Sequence, residues 1–571
     1  MDNLIKREAK KVSPRKRSFI FLNINVSCIA TSMLATALTT AIPPIMEDLK
    51  ISINTVQWLT SGFFLFLSVM TPFTAFLIST VRTKRLYCLA TGFFIVGLTI
   101  CVLSHHFWMM MIGRIIQGCG YGLLTSMAQV IILSIYPPNK IGTMMGWYGL
   151  SVGIAPIVAP TLAGILVDTV GWRWIFIIAI IIMACAFICA LFVFEDVLPT
   201  MNKKFDIISL ILSALSFGGV TLAVGNLGTE KFLSYLVALP LAVGIITGVF
   251  FIHRQLHLKV PFLDVRVLKN RDYTVSLLAT VLVQFIFMGA VMIFPVYVQQ
   301  VKGLSATISG IVNIPGSFAL AVISPFAGKI YDTVGMKLLF LLGSIVLIIS
   351  NLLIYFVNVH QTVWIIAFLN FFRCLSFGIL LMPLVTWAMK DIPKIKTSDA
   401  TALYNAIRFI GGALGSALFI SVITKVANGI GRHKESPEMY GINVVFLIMA
   451  ILSLIILLLG IFGCKQGLIS KNNPSRDEKP NDDLKDVKEK NVTNKDNSDI
   501  EVVIKDKEMN EKTLHQHQES DINTIIDKNS NTEDSSKDKS ESDTINNSKI
   551  ISELDSEVDV VDVVIKDDKQ Q

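Results

Sequence analysis

The chain is poor in what a water-soluble protein needs. Charged residues make up only 16% of its 571 positions against 53% hydrophobic, and the mean hydropathy is +0.61, which excludes a soluble globular enzyme. Eight cysteines form no C-x-x-C pair and no Cys/His cluster, so neither a zinc site nor a disulfide framework is expected. A G-x4-G-K-[ST] phosphate loop is missing, which excludes ATP hydrolysis by that route. There is no nucleophile–base arrangement and no nucleic-acid module; no enzymatic activity, metal, cofactor or nucleic-acid partner is expected. Negative charge is scarcest where the chain is most apolar. Residues 1–470 hold 34 Lys/Arg against 16 Asp/Glu, a charge of +18, whereas residues 471–571 hold 16 against 27, a charge of −11.

What the chain does have is long apolar runs. A helix needs about 20 such residues to cross a ~30 Å hydrocarbon core. Fourteen runs qualify, from 19–43 to 441–463. They are apolar on all sides rather than at every second position, which argues against a membrane β-barrel. The expected fold is an all-α polytopic membrane protein with fourteen spans, its lipid partner the bilayer itself. The basic segment 1–18 precedes a run too long for a signal h-region, so a first transmembrane helix is expected there.

Lys and Arg mark alternate loops: Arg82, Lys84 and Arg85; Lys203 and Lys204; Arg254, Lys259, Arg266, Lys269 and Arg271; Lys390, Lys394 and Lys396. The positive-inside rule places these loops and both termini in the cytoplasm. Ile-, Lys- and Asn-rich usage points to an AT-rich bacterial genome, so the expected location is the bacterial plasma membrane. Residues 464–571, rich in Asn, Asp, Lys and Ser with almost no aromatics, cannot bury enough apolar area to order themselves, so an acidic disordered tail is expected. No protein partner of that tail can be named.

Four features recur roughly 250–260 residues apart and in the same order: Pro43 and Pro295, the basic turns near 82–85 and 328–337, Arg114 and Arg373, Gly153 and Gly412. A duplicated unit follows, as in transporters whose halves rock around a midplane site. The expected division is a basic N-terminus (1–18), a six-helix bundle (19–194), two inserted helices with a linker (195–272), a second six-helix bundle (273–463) and the tail (464–571).

Several motifs resemble the major facilitator superfamily, and within it the fourteen-helix drug:proton antiporter branch. Gly328-Lys329-Ile330-Tyr331-Asp332-Thr333-Val334-Gly335-Met336-Lys337 is similar to that family's loop G-x-x-x-D-x-x-G-x-[KR]. The resemblance implies a gating latch in which Asp332 pairs with a cation on a neighbouring helix, with Gly328, Gly335 and Lys337 shaping the turn. The first copy keeps Arg82 and Arg85 but lacks the Asp. Arg114-Ile115-Ile116-Gln117-Gly118 is similar to R-x-x-Q-G. Gly146, Ala155, Ala159-Pro160 and Ala163-Gly164 follow the antiporter signature G-x8-G-x3-G-P-x2-G-G with Ala at three Gly positions, implying a close helix contact that seals the pathway. Gly171-Trp172-Arg173-Trp174 and the Asn405, Arg408, Gly411, Gly412, Gly415 set complete the likeness.

Charge sets the expected chemistry. Helix one of this branch carries an Asp where this chain has Leu34, and all sixteen acids of the body fall in loops or at helix ends. Arg114, Arg373 and Arg408, by contrast, lie inside helices. A mid-span guanidinium costs roughly 2.5–3.5 kcal/mol on insertion scales, so each should face a cavity or a partner. The expected pathway is lined by Arg114, Gln117, Tyr121, Asn370, Arg373, Asn405 and Arg408, with Asn313, and has no negative charge. An organic cation would be desolvated against arginine there, so neutral or anionic amphiphiles are the expected small-molecule partners. The resemblance implies proton exchange, for which Asp332, Asp168, Glu47, Asp48, His105 and His106 are the peripheral candidates. Secondary active efflux leads; a metabolite facilitator or importer, and a transport-inactive scaffold acting through the tail, stay open.

Overall fold

A computed structural model describes residues 5–7, 10, 12–227, 233–429 and 435–465. The chain divides into two units, Met1–Ser475 and Arg476–Gln571; the second, and with it almost all of the expected disordered tail, lies outside the described residues. The first unit's described residues form fourteen long helices: α1 (Pro14–Leu49), α2 (Ile53–Thr80), α3 (Thr83–Val102), α4 (Phe107–Ile135), α5 (Ile141–Thr169), α6 (Arg173–Val193), α7 (Ile207–Asn226), α8 (Tyr235–His257), α9 (Arg271–Pro295), α10 (Ala306–Val334), α11 (Met336–Tyr355), α12 (Val363–Met389), α13 (Thr397–Asn428) and α14 (Pro437–Leu458). Thirteen contain a stretch long and apolar enough to cross a membrane. Helices are what such runs form, because lipid offers no partner to an open backbone N–H or C=O. Ser52, Asp206, Asn270, Ser305 and Ser436 cap the helices that follow them by accepting from a backbone N–H three residues on. Gly335, at φ 90°, makes the turn from α10 to α11, a backbone conformation that a side chain resists.

Helices α1–α6 pack as one bundle and α9–α14 as another, with α7 and α8 between them in sequence. The hairpin α7–α8 is closed by glycine: a Cβ at Gly219 would lie 2.8 Å from Pro240 O. It leans on α2, where the Thr221 hydroxyl donates to Ser68 Oγ at 2.8 Å, and on α13, while the outer side of α8 exposes Leu239, Ile245, Ile246, Val249 and Phe250. The two bundles meet where α5 packs on α10 and α12, and where α13 packs on α2 and α4.

Helix polarity puts residues 80–83, 135–141, 194–206, 258–270, 335 and 390–396 on one face with the start of α1, called the basic face below. Its linkers are tied down. Strand β1 (Ile5–Arg7) pairs antiparallel with β2 (Thr200–Met201), and Lys16 pairs with Glu195, whose carboxyl is thereby held below its usual range. Lys203, from the linker after α6, reaches Asp399 in the first turn of α13 at 3.2 Å, with both side chains at most 5% exposed. Beside it Lys396 holds Asp264 at 2.9 Å. Asp399 does lie at a helix end, as the sequence suggests, but it is buried.

Removing one member of a buried pair leaves the other charge stranded, at about 3–5 kcal/mol. Asp399→Asn should therefore lower the melting temperature in detergent sharply, and Asp399→Asn combined with Lys203→Met should recover most of the loss. Equal losses in the single and double variants would contradict the pairing.

Candidate functional site

The three intrahelical arginines occupy two kinds of environment. Arg114 is fully buried in the first bundle. Its Nε donates to Leu59 O at 3.2 Å, its Nη1 to Gln117 Oε1 at 2.8 Å, and its guanidinium sits 4.3 Å from the Phe63 ring centroid. Gln117 in turn reaches Cys101 of α3. Arg373 repeats this in the second bundle, donating to Asn370 Oδ1 at 3.0 Å from Nη2, between the rings of Phe294 and Phe377. Asn370 bridges on to Asn313 of α10. With no carboxylate at this depth, an amide oxygen and an aromatic face serve the cation instead. These four residues were expected to face a shared chamber, whereas their partners all belong to their own bundle. The duplication inferred from the pair Arg114/Arg373 has a matching geometry.

The other three expected pathway residues gather on the seam between the bundles. Asn405 of α13 donates from Nδ2 to Gln129 Oε1 of α4 at 2.9 Å, and both side chains are fully buried. One turn deeper on α13, Arg408 is 7% exposed and lies within electrostatic range of the Tyr121 and Tyr148 hydroxyls across the seam and of Tyr404 on its own helix. Tyr121 stacks on Phe63 and meets Ser32 of α1 at 3.4 Å. Polar capacity is left over. Gln129 Nε2, Asn405 Oδ1, Arg408 Nε and Ser126 Oγ are buried without a hydrogen-bond partner. Natural interiors leave few such atoms, and a cluster at a movable interface is where a ligand or an alternative conformation would use them. Gln129 and Tyr148 were not picked out from the sequence; a second glutamine twelve residues after Gln117 in an otherwise apolar stretch of α4 was the available signal.

Toward the basic face the seam is made of glycine. On α5, Gly142, Gly146, Gly149 and Gly153 form one stripe. A Cβ on Gly142 would meet Asp332 Oδ1 at 2.5 Å, on Gly146 it would collide with Ser324 O, and on Gly153 with Leu320. Across from them Gly328 of α10 lies against Gly142 O. The antiporter-signature residues thus divide between two faces. Gly146 meets α10, while Ala155, Ala159 and Ala163 are buried at four-residue spacing on the far side of the helix, where α1 is the main neighbour. Gly164 comes near Thr40 of α1, and Pro160 lies within the same helix.

Asp332 accepts from Gly142 N at 2.8 Å and from Thr143 N at 2.7 Å and Thr143 Oγ1 at 2.6 Å. A cation on a neighbouring helix was expected to pair with Asp332; the hydrogen bonds it accepts come from the N-terminus of α5, whose open N–H groups and dipole favour a carboxylate. Among the described residues no ion pair involves Arg82, Arg85 or Lys337, so the contact is one-sided. Of the peripheral titratable candidates, Asp48 is bound to Arg173 at 2.6 Å and to Trp172 Nε1 at 3.2 Å, clamping α1 to the start of α6. Glu47, Asp168, His105 and His106 are exposed.

Comparison with known proteins agrees with this architecture. The sequence model of the Major Facilitator Superfamily matches residues 21–416. The chain belongs to the major facilitator superfamily. It is similar to the MFS-type transporter YcnB of Bacillus subtilis, uncharacterized by its own description, with 31% identity over 81% of this chain and 98% of that one. It is similar also to the lincomycin resistance protein LmrB of Listeria innocua, with 31% identity over 75% of this chain and 92% of that one. A solved structure, the human organic anion transporter MFSD10, superposes with a TM-score of 0.55 at 12% identity, covering 79% of this chain and 100% of that chain, and shows the fold alone. The protein is accordingly a multi-pass membrane transporter rather than an enzyme.

Asp332→Ala removes the α5 cap, worth about 1 kcal/mol, which should favour separation of α5 from α10 by about fivefold. In a cysteine-free background, maleimide labelling of Ser324→Cys, a buried seam position, should accelerate by that factor. An unchanged rate would contradict the latch.

Proposed function

We propose that this transporter is a secondary active exporter of toxic amphiphiles in a bacterial plasma membrane, with the basic face and both termini in the cytoplasm. The observation that carries the reading is the seam: two pseudo-symmetric bundles meet through glycine contacts on the basic side and enclose unpartnered polar atoms of Gln129, Asn405, Arg408 and Ser126. A glycine interface can part and re-form, because little side-chain interlocking opposes it. Alternating access then exposes the polar cluster to one side at a time. The likeness to a lincomycin resistance protein supports export of drugs.

Substrates are neutral or anionic rather than cationic. Arg408 is the charge deep in the seam, the start of α5 engages Asp332 and Lys203 already holds Asp399, so a lipophilic cation meets no uncommitted counter-charge there. The drug:proton branch makes protons the expected counter-ion. A second reading, movement without proton exchange, is favoured by the placement of every acid among the described residues in a loop or at a helix end. Among the described residues Arg82, Arg85 and Lys337 form no ion pair, and we assign the gating role to Asp332 with Gly328 and Gly335.

Expressed in an efflux-deficient host, the protein should raise resistance to neutral and anionic amphiphiles and leave sensitivity to quaternary ammonium compounds unchanged. Deleting residues 468–571 should preserve that resistance. Protection confined to quaternary ammonium compounds would overturn the substrate class, and loss of all protection on truncation would favour a scaffold acting through the tail.

A further inference from the structure

Arg408 is a charge waiting for a counter-ion. Arg114 and Arg373 are each held by an amide oxygen and aromatic rings of their own bundle. Each of those two keeps one open Nη, but Arg408 is held by neither an amide nor a carboxylate among the described residues: its Nε has no partner, and the ring stacked near its guanidinium carbon is that of its own neighbour Phe409, at 5.3 Å. The nearest acid on the same helix, Asp399, lies nine residues or ~13 Å toward the basic face and is engaged by Lys203. The groups across the seam, the Tyr121 and Tyr148 hydroxyls, are neutral polar partners with aromatic bodies. A guanidinium at 7% exposure without a counter-charge is an unfavourable ground state that a bound anion would relieve.

We propose that Arg408 binds the anionic head of a monoanionic aromatic amphiphile, a carboxylate or sulfonate, and that the membrane potential alone drives its export. This rests on the exporter reading above. The charge balance is simple. The loaded carrier holds guanidinium plus anion and switches faces with no net charge at the seam. The empty carrier returns with Arg408 uncompensated, so one positive charge re-orients inward across the field. Each cycle moves one negative charge outward. Nothing in that cycle needs a proton: the carboxylates at the mouth of the seam, Asp332 and Asp399, are engaged by the start of α5 and by Lys203. One charge falling through 100 mV sustains an outward gradient of about fiftyfold.

The test uses the full-length protein in proteoliposomes with a valinomycin-set potassium potential and equal pH on both sides. The probes are radiolabelled naphthalene-2-sulfonate and, as a neutral control, naphthalene-2-sulfonamide. The sulfonate should accumulate on the positive side in proportion to the imposed potential, up to about fiftyfold at 100 mV. A pH gradient at zero potential should leave its distribution unchanged. Arg408→Gln should abolish the potential response and Arg408→Lys should keep it, with both variants checked as monodisperse by size exclusion. Transport that follows the pH gradient and ignores the potential would overturn this inference while leaving the exporter reading standing, as would an unchanged potential response in Arg408→Gln. Movement of neither probe under either gradient would overturn both.

Discussion

Lipid gives two bundles of apolar helices no hydrophobic reason to stay together, because the tails are as apolar as the side chains. What remains is close packing and the occasional polar contact. The whole arrangement here depends on that constraint. On the basic side the α5–α10 contact is glycine against carbonyl, with Gly142 and Gly328 facing each other and Gly146 over Ser324. Deeper in, the only side-chain hydrogen bond described between α4 and α13 joins Gln129 to Asn405. Such an interface is tight when closed, and few interactions are lost when it opens. The cap that Asp332 places on α5 and the buried Lys203–Asp399 pair add two directional contacts at the mouth of the same seam.

The same scarcity of partners shapes the charges. Inside each bundle an arginine is neutralised only by dipoles and ring faces, and the two copies do this in the same way. That repetition reads as architecture: each cation fixes the spacing of the helices around it. The seam arginine differs because part of its surroundings belongs to the other bundle, which the proposed alternating access would carry away from it. A group whose environment changes between conformations is suited to work that depends on conformation, whereas one sealed in a rigid bundle is not.

Much of the fold was legible in the sequence. Uninterrupted apolar runs specify helices in lipid, and cap residues such as Ser52, Asn270 and Ser305 mark their starts. The turn from α10 to α11 was legible too, since glycines and Asp332 stand at fixed offsets. The partner of Asp332 was not, because which N–H meets it depends on where α5 arrives from 190 residues away. Arg114, Gln117 and Tyr121 share one stripe of α4, and that much is periodicity. Neighbouring helices cross the stripe at an angle, so its outer end meets α2 and α3 while its inner part meets α1 and the seam. Pairs such as Lys203–Asp399 and Gln129–Asn405 join residues 196 and 276 apart, and neither member carries a local sign of the other.

The central claim is that two rigid bundles pivot about this seam. Replacing Gly146 by Trp wedges the α5–α10 contact open. Spin labels at Lys140→Cys and Lys390→Cys report the basic face, and labels at Val170→Cys and Phe356→Cys the opposite one, all four positions being exposed. Pulsed electron–electron distances in lipid nanodiscs should show the basic-face pair lengthen and the opposite pair shorten on adding the wedge. If both pairs lengthen together, or neither moves, the bundles do not pivot and the account is wrong.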